Sequence, residues 1–145
     1  MIAIFIVILC FIWGNSMLPP GVSLIFSNSV GNFFAEVLGS GDGANLGGVF
    51  SLRKMAHFAE FGILGAVSSL LVRIFISDKK LKFSIILVLG LFVPVVDETI
   101  QIFSGRAPLI SDVWIDALGY AVGCAMMFLI YFVRRKIAEK SEKQP

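Results

Sequence analysis

Hydrophobic residues run through this chain in long blocks separated by short polar interruptions. Four blocks stand out, at about residues 2–18, 55–76, 83–103 and 112–133. Each approaches the ~20 mostly apolar residues that one helical crossing of a bilayer core requires. None alternates polar and apolar positions as a barrel strand would. The pattern predicts an all-α polytopic membrane protein, a four-transmembrane-helix bundle with short connections, forming a single domain over residues 1–145. The first block has no basic stretch ahead of it and no small-residue cleavage signal behind it. It therefore reads as a retained helix and not as a leader, although its purely apolar part ends early, at Trp13.

Composition agrees with the pattern and removes competing classes. Hydrophobic residues make up 57% of the chain and charged residues 15%, against ~25% charged in a soluble domain. A soluble enzyme and a disordered tail are excluded. The net charge of +2 is too small to attract a polyanion, so no nucleic-acid partner is expected. Cys10 and Cys124 both lie inside apolar blocks and make no disulfide framework.

The placement of charge says more than its sum. With the N-terminus, the loop around Lys79–Lys80 and the C-terminal tail on one side, that side holds nine of the twelve Lys and Arg residues. Basic loops mark the cytoplasmic face, so both termini are expected inside, with residues 134–145 a basic cytoplasmic tail. The outer side holds Arg53, Lys54 and Arg106. It also holds most of the acids, among them Glu60, Asp97, Glu98, Asp112 and Asp116, at or just within helix ends. Ionisable groups in membrane segments are costly and normally face a bundle interior or an aqueous cavity.

Helical geometry gathers these residues. At about 100° per residue, Arg53, His57, Glu60 and Leu64 share one arc of the second span, opposite a small-residue stripe of Ala59, Gly62, Ala66 and Ser69. Gly90, Pro94, Asp97 and Gln101 share an arc of the third, with Glu98 beside it. Asp112, Asp116, Gly119 and Gly123 form a stripe on the fourth. Glu60, Asp97–Glu98 and Asp116 lie at similar depth, roughly one turn below the outer helix ends. They are expected to converge on one outward-facing cleft, with Arg106 in the third loop reaching over it. A purely structural alternative is that these groups are ion pairs joining helices, Arg53 with Asp112 for example. In the first outer loop, Val30, Phe33, Phe34, Val37 and Leu38 follow helical spacing and predict a short interfacial helix, followed by a glycine-rich linker over residues 39–48.

The ordered set of motifs resembles the VanZ-like family of membrane proteins. The segment from Arg53-Lys54-Met55-Ala56-His57-Phe58-Ala59-Glu60 to Gly65 is similar to the family's first signature. Asp97-Glu98-Thr99-Ile100-Gln101, Gly105-Arg106, and Ser111-Asp112-Val113 through Asp116, Gly119 and Gly123 resemble the second. Asn15-Ser16-Met17-Leu18-Pro19-Pro20 resembles the family's Ser- and Pro-containing outer turn. Departures are Phe61, where Tyr is common, and Ala107-Pro108 after Arg106, where Gly is often found. The resemblance implies a four-helix protein of the bacterial plasma membrane. It also implies an envelope context, the founding member being associated with the glycopeptide teicoplanin.

Two functional readings remain open from the sequence. In the first, the cleft binds a polar head group, a lipid-linked cell-wall precursor or an amphiphilic small molecule, with membrane lipids all around. Arg53, Lys54 and Arg106 would engage phosphate or carboxylate, and the acids would accept from amines or hydroxyls. In the alternative, the protein is a membrane-embedded hydrolase or transferase, with His57 and Glu60 as base and orienter and Asp97, Glu98 and Asp116 near a divalent cation. The five cleft acids outnumber Arg53, Lys54 and Arg106 by two. Such an excess in a low-dielectric cleft calls for a proton, a divalent cation or a cationic ligand.

Overall fold

The computed structural model describes residues 1–18, 52–105 and 110–141, and the side chains of all of these except Leu52 and Arg53. Four helices carry the described residues: α1 (Ile2–Ser16), α2 (Leu52–Phe75), α3 (Lys79–Phe103) and α4 (Ile110–Ser141). No strand occurs among them. The expected interfacial helix at residues 30–38, the linker at 39–48 and Arg106 lie outside the described residues.

Helices α2, α3 and α4 are long and apolar enough to cross a membrane, and α1 is a shorter apolar helix. At ~1.5 Å per residue, the 15 residues of α1 span about 22 Å, less than the ~30 Å hydrocarbon core. The block expected to cross as 2–18 therefore ends as a helix at Ser16, because Asn15 and Ser16 turn inward to bond other helices. The fourth helix departs in the other direction. It does not stop near Val133 but continues through the basic tail to Ser141. Arg, Lys, Ala and Glu in that stretch are good helix formers, and Arg135 Nε donates to Glu139 Oε1 one turn on, at 2.8 Å.

Only Ile76, Ser77 and Asp78 separate α2 from α3, so the two run antiparallel. Asp78 caps α3, its side chain accepting from the Leu81 amide at 2.7 Å. Helix α3 continues through Pro94, which is buried and cannot donate to the carbonyl of Gly90.

The most extensive helix contact joins α2 to α4. A Cβ on Gly123 would run into the Gly62 carbonyl, one on Gly119 into that of Phe58, and one on Gly65 into that of Tyr120. Glycines here let two backbones touch, as small residues do where membrane helices cross. Of the stripe expected on α2, Gly62 and Ala66 lie in this seam and Ala59 is exposed. Ile12, Phe61, Leu64, Val93 and Tyr120 fill the apolar core from all four helices, with the Tyr120 ring set against Gly90.

The distribution of polarity is reversed relative to a water-soluble domain. Ser16, His57, Ser68, Asp97, Glu98, Gln101 and Asp116 are buried, while Phe11, Phe83, Phe92, Phe103, Trp114 and Phe128 are exposed. An exterior of this kind is matched to lipid, and a polar interior is then confined to where helices shield it.

Candidate functional site

Antiparallel packing brings the C-terminal ends of α1 and α3 to the same end of the bundle as the N-terminal ends of α2 and α4. The buried charges collect there. Asp97, on the penultimate turns of α3, is fully buried and accepts two hydrogen bonds. Ser16 Oγ of α1 donates to its Oδ1 at 2.7 Å, and Gln101 Nε2, one turn on, donates to its Oδ2 at 2.8 Å. Ser104 Oγ donates back to the Ser16 carbonyl at 3.0 Å, tying the two helix ends together.

His57 faces this carboxylate from α2. Its Nδ1 lies 3.8 Å from Asp97 Oδ2 and 3.9 Å from Asp116 Oδ1 on α4. Both separations exceed hydrogen-bond length. Asp116 is 1% exposed, and neither of its carboxylate oxygens has a hydrogen-bond donor among the described residues. One ligand atom from each of His57, Asp97 and Asp116 lies within 4.8 Å of the other two, so an imidazole and two carboxylates from three helices surround one small volume.

Two further contacts frame the cluster. Glu60, half-buried, accepts from Asn15 Nδ2 at 3.1 Å. At the mouth, Lys54 Nζ of α2 meets Asp112 Oδ1 of α4 at 3.1 Å. Asp112 stands in the first turn of α4, where the unpaired amides of a helix N-terminus favour an anion. A cleft enclosing about 230 Å³, part of it open to solvent, is lined by Lys54, His57, Gln101, Asp112, Ile115 and Asp116.

Most of the residues singled out in the sequence therefore meet. His57, Asp97, Gln101 and Asp116 form the centre, and Lys54 and Asp112 form the rim. Glu60 lies to one side with Asn15, and Glu98 is buried on α3 next to Asp97. Among the described residues Lys54 is the cation that pairs with Asp112; the sequence suggested Arg53 for that role. Arg53 belongs to the first turn of α2, but its side chain is outside the described residues, as is Arg106. Asn15, Ser16 and Ser104 were not anticipated as site-supporting residues. The first two close an otherwise apolar helix as a consecutive polar pair, a pattern that does not distinguish a site residue from a helix end.

The family model described as VanZ/LLP1 matches residues 1–132. Comparison with curated proteins and with solved structures yielded no match.

Proposed function

This chain belongs to the VanZ/LLP1 family, and from that premise we propose that it is a bacterial cell-envelope protein whose cleft opens on the outer face of the plasma membrane and binds a polar head group. The occupant is a lipid-linked precursor or an amphiphilic, glycopeptide-like compound. By resemblance alone, we associate that role with glycopeptide resistance. The supporting observation is the convergence of His57, Asp97 and Asp116 under a Lys54–Asp112 rim, on a bundle whose outer surface is apolar. A lipid-borne molecule reaches such a cleft laterally, with its chains remaining in the bilayer and only the head group entering. Lys54, with its neighbour Arg53 and with Arg106 of the third loop, would supply cations for phosphate or carboxylate. The acids accept hydrogen bonds from amines and hydroxyls.

Catalysis on that head group is the second reading, favoured by one observation: His57 lies between two aspartates, the surroundings of a general base. In this reading Asp97 or Asp116 orients His57, while Glu60 is occupied with Asn15. Orientation follows the basic residues, so a reporter fused after Pro145 is expected in the cytoplasm and one inserted within residues 39–48 outside.

The test is lipid retention. Native mass spectrometry of the purified protein should show a bound anionic phospholipid, reduced about tenfold, the equivalent of 1.4 kcal/mol, in the Lys54→Gln/Arg106→Gln double variant. Retention equal to wild type in a folded double variant would remove the head-group reading. Turnover of that lipid, lost in His57→Gln, would replace binding by catalysis.

A further inference from the structure

Asp116 sits in the centre of the bundle end with 1% of its surface exposed, and neither oxygen has a hydrogen-bond donor among the described residues. Its surroundings add negative charge, with Asp97 and Glu98 buried on α3 and Glu60 half-buried on α2. A buried carboxylate in such company needs a proton or a counter-charge at close range. His57 Nδ1 faces it at 3.9 Å and faces Asp97 at 3.8 Å. An imidazole hydrogen-bonded to a carboxylate would stand ~2.7–3.0 Å away. Two ligands held ~2.0–2.2 Å from a common metal ion are instead roughly 3–4 Å apart. The two separations from His57 are thus wide for direct hydrogen bonds and close to those of ligands round an ion, with all three ligand atoms within 4.8 Å of one another.

The supporting contacts have the same character. Ser16 and Gln101 hold Asp97 from outside at 2.7 and 2.8 Å, the kind of outer partner that fixes a metal-binding carboxylate in orientation. The three groups come from three different helices, so an ion between them would join α2, α3 and α4 at one point.

We propose that His57, Asp97 and Asp116 bind one divalent transition-metal cation, Zn²⁺ or Mn²⁺. A nitrogen with two carboxylate oxygens suits those ions, whereas Mg²⁺ and Ca²⁺ prefer all-oxygen surroundings. The proposal rests on the same cleft as the head-group reading and deepens it. A cation between the aspartates converts an acidic pocket into one that accepts a phosphate oxygen, while Lys54 at the rim takes the next.

The experiment uses the full chain purified in detergent, with metal content measured by plasma mass spectrometry and melting followed with chelator and with added Zn²⁺, Mn²⁺, Mg²⁺ or Ca²⁺. About one Zn²⁺ or Mn²⁺ per chain is expected, with a melting temperature that falls by several degrees on chelation and returns with those two ions. Asp116→Asn and His57→Gln should each cut retained metal at least about tenfold, which is 1.4 kcal/mol of binding, and Glu139→Gln should retain it. His57→Gln carries the test if Asp116→Asn does not fold. Melting unmoved by chelator and by all four ions would overturn the proposal. So would a response to Mg²⁺ or Ca²⁺ alone, or metal retained in both variants. Lipid retention is scored separately: a chelated protein that keeps its lipid leaves the head-group reading standing. Loss of lipid in Lys54→Gln/Arg106→Gln with metal retained removes that reading and leaves the metal site.

Discussion

The two junctions of this bundle are made in opposite ways. Helices α2 and α4 meet backbone to backbone along Gly62, Gly65, Gly119 and Gly123, with the Lys54–Asp112 ion pair confined to the rim at one end. Helix α1 is tied at its end by side-chain hydrogen bonds, from Asn15 to Glu60 and from Ser16 to Asp97, with Ser104 returning one to the Ser16 carbonyl. The first junction depends on shape and the second on charge. The polar partners of α1 are themselves members of the acid cluster. What happens at the cluster therefore reaches α1 through Asp97 and Glu60, as it reaches α2 and α4 through His57 and Asp116.

The largest effect should come from the seam. In Gly123→Leu the new Cβ meets the backbone of Gly62 and Ala66, which cannot rotate away. The loss should reach or exceed ~3 kcal/mol, the upper end for overpacking. Little folded protein should survive extraction, as read by yield and size-exclusion profile. Gly14→Ala on α1, where nothing lies within 4 Å of the added carbon, should be neutral. Similar behaviour of the two variants would erase the distinction between the junctions.

Removing the donor from the second junction ranks next. Ser16→Ala deprives a buried carboxylate of a hydrogen bond, a loss of ~1.5–3 kcal/mol for bonds to charged groups. Hydrogen exchange should rise in α1 while α2 and α4 keep their protection. Loosening spread evenly over all helices would contradict the separation. Smallest should be Lys54→Met at the rim. That ion pair is a fifth to a quarter exposed, and partly exposed pairs contribute ~0–1 kcal/mol, so melting should shift little even as head-group retention falls.

How the site could be seen in the sequence follows from the same contrast. Helical periodicity placed His57 and Glu60 on one arc of α2, Asp97 and Gln101 on one of α3 and Asp116 on one of α4, with Glu60, Asp97 and Asp116 at one depth. His57, Asp97, Gln101 and Asp116 meet, while Glu60 lies to one side with Asn15. The small-residue stripe on α2 and the Gly119–Gly123 pair on α4 were visible as faces of close approach, but not that they would meet each other. The role of α1 was not legible. A polar pair at the end of an apolar run is the ordinary mark of a segment leaving the membrane. Only the fold reveals that Asn15 and Ser16 point inward. That Lys54 pairs with Asp112 was equally beyond periodicity, because neighbouring residues at a helix start differ by a rotation that long side chains can span. The continuation of α4 to Ser141 was missed because hydropathy marks where the bilayer ends, not where a helix does.

Pro94 gives the site a mechanical asymmetry. Helix α3 lacks the rung that residue 94 would have donated to Gly90, one turn before Asp97. Missing rungs of this kind are where helices bend. His57 and Asp116 stand on two helices whose interlocked backbones leave no slack. Asp97 and Gln101 ride on a terminal segment joined to the rest of its helix by a softer joint. The cluster is built like a vice, with one jaw fixed to the frame and the other on a hinge. Any change in its gape would have to pass through the last turns of α3, which Ser16 and Ser104 fasten to α1.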